Sequence, residues 1–222
     1  MLVRPCRALW SADHSPVVRA GFGRGALALA SFAVVVLVGF SVVPQYRAEA
    51  LRYRSAQAID RLALSPPSAA DYRAALTRIR SDLARAVAID PANPQAWSDV
   101  AYADSLWAHV EPDQTAELGR RGGVAADRAV ALCGVVGEFW YRRGIARDMA
   151  GRWIDAGGDF SRALELSPQS SRAWYYYAYH LSLDPRQRAL AEAALQFCLR
   201  LDPGNDAALA LRQHLAISPK AP

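Results

Sequence analysis

Two hydrophobic regimes share this chain. Residues 25–43, GALALASFAVVVLVGFSVV, contain no charge and run directly into Pro44. From residue 45 onward the apolar positions recur three and four residues apart between polar ones, the spacing of amphipathic helices. Residues 45–64 hold helix-favouring Ala, Arg, Glu and Leu without a breaker. Ser65-Pro66-Pro67-Ser68 punctuates the chain, and Ser68 is placed to cap a second helix reaching about Ala88. Asp90-Pro91-Ala92-Asn93-Pro94 forms the next turn, and a helix with Trp97, Val100, Ala101 and Trp107 follows. Pro112 and the Gly122-Gly123 pair place an extended turn and the start of a partner helix over 108–123. The expectation is an all-α chain.

One pattern recurs. AIDPANPQAW ends at Trp97, ELSPQSSRAW at Trp174 and RLDPGNDAAL at Leu209, while a degenerate copy, ALCGVVGEFW, ends at Trp140. In the first three a proline stands six residues before the closing large apolar residue, and Gly134 replaces it in the degenerate copy. Proline stops one helix there, and the apolar residue anchors the next. Trp140 and Trp174 lie 34 residues apart, a period of stacked helical hairpins. Trp97 and Trp140 are 43 apart, so the pair between them carries an insertion that lengthens its turn or its second helix.

The best copy runs from Gly137 to Ser170 and presents Trp140, Gly144, Gly151, Trp153, Ala156, Phe160, Ala163 and Pro168 in order. It resembles the tetratricopeptide repeat family, whose pattern sets an aromatic, a small residue, then Ala, Phe, Ala and Pro at these spacings. The following copy keeps Trp174, Ala178, Ala191 and Pro203, with Leu195 and Cys198 where the family prefers an aromatic and alanine. The copy ending at Pro91 keeps Leu83 and Ala86. The resemblance covers about 47–216 and implies a superhelical domain of about three to four hairpins. A polar-faced capping helix near 206–216 would close it, ahead of a tail at 217–222. Gly144, Ala156 and Ala163 are small enough for paired helices to approach, while Trp140 and Phe160 fill the space between repeats. Trp97, Trp140, Trp153 and Trp174 all read as structural.

The resemblance also implies a concave groove lined by the first helix of each pair. Carried onto this chain, it selects Glu138, Tyr141, Arg142 and Ile145 from the best copy and Arg172, Tyr175, Tyr176 and Tyr179 from the next. From the copy at Trp97 it selects Gln95, Ser98, Asp99 and Tyr102. Tyrosine and arginine dominate, the residue types enriched at interface hot spots. The implied partner is a protein, as a peptide or a helix in the groove. The family's carboxylate-clamp variant needs Lys and Asn at positions that here hold Tyr and Ser, so that specificity is not carried over.

Nineteen apolar residues at 25–43 would span about 28 Å as a helix, close to a bilayer's hydrocarbon thickness. Arg4, Arg7, Arg19 and Arg24 precede them against Asp13, so residues 1–24 hold +3 of the formal +5. By the positive-inside bias this basic stretch is cytoplasmic and the repeats are exported, giving a single-pass protein of a bacterial inner membrane with a periplasmic array. A cleaved signal peptide ending near Ala48-Glu49-Ala50 is the alternative, disfavoured by the long apolar stretch and by the intruding Arg47. The remaining charge is too small for a nucleic-acid footprint. Arginine supplies 25 of the 26 basic residues, which points to a GC-rich bacterial genome.

Catalytic chemistry has no foothold in the pattern. The four histidines stand singly, and no metal-binding Cys or His spacing, nucleophile elbow, P-loop or dinucleotide fingerprint occurs. No cofactor or metal is expected. Asp155 and Asp159, four apart, read as a solvated helix face, and Arg120-Arg121 as a solvated tip. Three cysteines make no disulfide framework, and Cys133 and Cys198 read as free thiols. The function expected is scaffolding in an envelope assembly. Three other readings stand beside it: an accessory role in polysaccharide polymerisation or export, self-association through the groove, and an enzymatic site formed by His109, Glu111 and Asp113.

Overall fold

The computed structural model describes residues 19–64 and 68–217. Most of the basic N-terminal segment, with Cys6, the Pro66-Pro67 turn and the tail from residue 218 lie outside the described residues. Among those described, the chain forms nine α-helices and no strand: α1 (Arg19–Leu64), α2 (Ala69–Ile89), α3 (Pro94–Trp107), α4 (Thr115–Leu132), α5 (Gly137–Met149), α6 (Trp153–Leu166), α7 (Ser171–Ser182), α8 (Arg188–Leu201) and α9 (Asp206–Ile217). Two short 3-10 turns, Pro112–Gln114 and Pro185–Gln187, precede α4 and α8.

The chain separates into two compact units, Met1–Val43 and Pro44–Pro222, and Pro44 falls within α1. In the first unit α1 exposes Leu27, Leu29, Phe32, Leu37 and Phe40. The apolar stretch of α1 has a mean hydropathy of 2.6 with none of it buried, and is long and apolar enough to cross a membrane.

In the second unit the remainder of α1 packs on α2 through Ile59 against Leu76, Ile79 and Leu83. Ala48, Leu51, Ser55 and Ile59 form its buried stripe, spaced three and four apart as an amphipathic helix requires. The pairs α3/α4, α5/α6 and α7/α8 follow, and α9 closes the array by burying Ala208, Leu211 and Leu215 against α7 and α8. The result is an all-α solenoid of helical hairpins, as the repeat spacing requires.

The recurrent decapeptide is an inter-repeat turn with its own locks. Each joins a second helix to the next first helix across four residues, at 90–93, 133–136, 167–170 and 202–205. The indole Nε1–H of the closing tryptophan donates to the carbonyl six residues earlier: Trp97 to Pro91 at 3.0 Å, Trp140 to Gly134 at 2.9 Å and Trp174 to Pro168 at 2.9 Å. The side chains of Asn93, Ser170 and Asn205 cap the next helix by accepting from Ala96, Ala173 and Ala208 N–H. The degenerate copy puts Val136 at the capping position and so has no side-chain cap.

Alanine and glycine set the helix spacing. Ala156 and Ala163 are wholly buried, and a Cβ on Gly144 would stand 2.8 Å from the Phe160 ring. Leu195 and Cys198, the departures from the repeat pattern, are buried at 1% and 0% exposure. The Gly122-Gly123 pair lies inside α4 rather than in a turn. A Cβ on Gly119 would meet Ala150 N at 2.6 Å and Ala146 O at 2.7 Å, so glycine here marks close helix packing. The insertion is divided between residues 108–114 and an α4 of 18 residues, against 14 for α6 and α8.

Three further expectations are corrected. Asp159 is 2% exposed and held by Arg143 and Arg147, so a polar i,i+4 pair hid one buried ion-pair centre. Arg121 donates from Nε to the buried Asp104 at 2.7 Å and ties α4 to α3, while Arg120 pairs locally with Glu117. Trp153 is half exposed at the start of α6. Cys133 and Cys198 are free, and burial pushes the Cys198 thiol up to about 11.

Candidate partner-binding groove

Seven residues of helix carry a side chain twice round to the same face, about 10 Å further on. Arg172, Tyr175, Tyr176 and Tyr179 therefore share one face of α7. Tyr102 of α3 and Ile145 of α5 converge on the same space, and with Tyr175, Tyr176 and Tyr179 they line a cavity of about 750 Å³. Leu106, Met149, Trp153 and Leu183 add to a lining that is mostly apolar.

Below it lies an aromatic and ionic floor built from successive first helices. The Tyr141 and Tyr176 rings stack with centroids 5.4 Å apart, and Tyr176 meets Tyr175 edge-on at 5.1 Å. The Tyr102 and Tyr176 hydroxyls are 3.2 Å apart. Arg142 covers the Tyr102 ring at 4.7 Å, donates to Ser98 Oγ at 3.0 Å and Asp99 Oδ1 at 2.6 Å, and pairs with Glu138 at 2.6 Å. Asp99 also accepts from Arg52 of α1 at 3.1 Å, and Arg52 pairs with Glu49, whose carboxylate accepts from Asn93. One chain of charge thus links α1, α3 and α5.

Burial governs the ionisation of this floor. It pushes Tyr141 up to about 12 and Tyr176 well above the usual phenol range, so both are neutral at physiological pH. For Arg142 burial works against the charge, but its ion pairs with Asp99 and Glu138 hold the guanidinium ionised. Its Nε is buried without a hydrogen-bond partner.

Eight of the twelve groove residues selected by the repeat register separate further. Tyr102, Tyr175, Tyr176 and Tyr179 line the cavity, and Tyr179 is 47% exposed. Tyr141 and Arg142 are 4% and 6% exposed, buried among their own neighbours as floor rather than open surface. Glu138 is half-buried in its pair with Arg142, and Arg172 is exposed beside the Tyr141 hydroxyl. Sequence reasoning missed the wall formed by Trp153, Met149 and Leu183. These lie where paired helices meet, which first-helix positions alone do not show. Arg52 was also missed, since the degenerate first copy gives it no register.

His109, Glu111 and Asp113 do not converge. His109 lines the groove cavity, Glu111 pairs with Arg73 of α2, and Asp113 is exposed in the 3-10 turn. Among the described residues no group of three His, Cys, Asp or Glu side chains is placed to hold a metal. His180 instead ties α7 to α5, its Nδ1 lying 2.8 and 3.0 Å from the two carboxylate oxygens of Asp148.

No protein-family profile matches the sequence, and no curated protein is similar to it. Solved structures share its architecture. PilF of Pseudomonas aeruginosa superposes with a TM-score of 0.53 at 19% identity, over 76% of this chain and 68% of that one. An O-GlcNAc transferase mutant of Thermobaculum terrenum gives 0.52 at 20% identity over 71% of this chain. The chain spans only 26% of that transferase's length. Helical hairpins locked by the recurrent turn, and their superposition on these solenoids, give the chain the tetratricopeptide-repeat fold.

Proposed function

We propose that this chain is a scaffold that holds a peptide or helix of a partner protein in its concave groove. The single observation that carries the reading is the open cavity walled by Tyr102, Tyr175, Tyr176 and Tyr179, large semi-rigid side chains that give up little entropy on binding. In the same proposal residues 25–43 anchor the chain in a bacterial inner membrane, the repeats face the periplasm, and the partner belongs to an envelope assembly. The exposed apolar stretch of α1 supports the anchor. Confinement to a membrane raises effective concentration, so a modest groove affinity suffices.

Affinity capture from native membranes tests the groove, comparing the wild type with Tyr179→Arg and with Ile154→Arg. Ile154 is 93% exposed and lies outside the groove lining, which makes it the surface control. A partner retained by wild type and control but lost with Tyr179→Arg supports the reading. Equal capture by all three places the interface elsewhere. Protease protection of the repeats in intact cells, lost on opening the outer membrane, tests the topology separately.

A further inference from the structure

The cations on the groove side of the first helices are not alike. Arg52 is satisfied by Glu49 and Asp99, and Arg142 by Asp99 and Glu138. Arg172, at the start of α7, faces phenols instead: Tyr141, Tyr102 and Tyr176. Among the described residues no carboxylate pairs with it. Of those phenols Tyr141 is buried and Tyr176 half-buried, and both are neutral, so they do not offset the charge of the guanidinium. Asp148, the carboxylate that lines the neighbouring cavity, is already engaged by His180. An exposed positive charge therefore stands at one end of an apolar aromatic slot.

Resting on the groove reading above, we propose that the occupant carries a carboxylate that pairs with Arg172 and an apolar side chain that enters the slot at Tyr179. Arginine presents a planar fork of donors that matches a carboxylate bidentately. Arg172 and Tyr179 are seven residues apart on one face of α7, so the two groups of the occupant stand about 10 Å apart. In an extended segment at about 3.3 Å per residue that is a separation of three positions, acid-x-x-apolar. The cavity of about 750 Å³ has the size of a small-ligand pocket and accommodates a few side chains rather than several turns of helix, which favours the extended form.

The test uses the full chain in detergent micelles and fluorescein-labelled octapeptides containing Glu-Ala-Ala-Phe, Gln-Ala-Ala-Phe or Lys-Ala-Ala-Phe, followed by anisotropy at low salt. The expected result is binding of the Glu peptide at least about tenfold tighter than the Gln peptide, with the Lys peptide weakest. Arg172→Gln should erase the difference between Glu and Gln, and Tyr179→Ala should weaken both in equal proportion. Both side chains are exposed, and an unchanged melting temperature confirms that each variant is folded. Equal affinity for Glu and Gln peptides, still weakened by Tyr179→Ala, overturns the carboxylate pairing and leaves the groove reading standing. Failure of every peptide to bind the folded wild type overturns both.

Discussion

Tyr141 and Tyr176, one from each of two successive repeats, stack with 5.4 Å between ring centroids and 19° between ring planes. The pair turns two groove positions into a repeat interface, and the hydroxyl of Tyr176 reaches a third repeat at Tyr102. Tyr176→Ala removes the ring and opens a cavity between repeats, with an expected loss of about 3–5 kcal/mol. Tyr176→Phe keeps the stack and forfeits only the hydroxyl contact, a loss of about 1 kcal/mol. Urea unfolding of both variants measures the difference, and equal losses would show that the stack is not what holds this interface.

The uncapped turn offers a gain of stability. Val136 has φ −101° and ψ 112°, close to the −84° and 104° of Ser170 and the −81° and 105° of Asn93, both of which cap their helices. The Phe139 N–H donates only to the Val136 carbonyl, at 3.1 Å, so Val136→Ser adds a side-chain acceptor at this helix end and should stabilise the chain by about 1 kcal/mol. A shift in the urea midpoint without a change in slope is the expected signature. A lower midpoint would show that the half-buried Val136 matters more for its packing.

Two glycines of one helix should respond in opposite directions to alanine. Gly119→Ala drives a methyl against Ala150 N and Ala146 O, backbone atoms that cannot swing aside, and should cost about 1–3 kcal/mol. Gly123 has nothing within 4 Å of its would-be Cβ, so Gly123→Ala should gain up to about 1 kcal/mol from helix propensity. Thermal melts of the two variants separate the effects, and a stable Gly119→Ala would mean that α4 and α5 can slide apart.

Asp148 gives the fold a pH dependence of known sign. Burial raises its carboxyl above the usual 3.8, against the lowering effect of His180. A raised folded-state pKa contributes stability that is full below about pH 3.8 and is lost as pH rises through the folded value. Asp148→Asn keeps an oxygen to accept from His180 and removes that titration. The stability of the variant relative to wild type should therefore rise between about pH 3.5 and 6, read from urea midpoints across that range. A relative stability that falls over the same interval would overturn the assignment.

The fold was legible because it is written in spacing. Pro91, Pro168 and Pro203 mark where helices stop, and Trp97, Trp140 and Trp174 mark where the next begin. The groove was legible at Tyr102, Tyr175, Tyr176 and Tyr179, whose register follows from those anchors. What spacing could not reveal was which polar residues meet across repeats. Asp159 and Asp104 look like ordinary surface acids until Arg143 and Arg121 arrive from elsewhere in the chain. Tyr141 and Arg142 occupy the expected face but disappear beneath their neighbours, because burial depends on side-chain length and crossing angle as well as register.

The ionic floor also bears on how modular this array can be. Repeat solenoids often tolerate the loss or duplication of a unit, since each hairpin meets its neighbours through similar apolar faces. Here Asp99 of α3 serves Arg52 on one side and Arg142 on the other, a bond pattern that no other hairpin reproduces among the described residues. Excising the α3/α4 hairpin would leave Arg52 to Glu49 alone and the deeply buried Arg142 to Glu138 alone, and duplicating it would set an unmatched carboxylate at a new junction. Electrostatics thus favours one order of these hairpins, and their grammar is closer to that of a single sentence than to beads on a string.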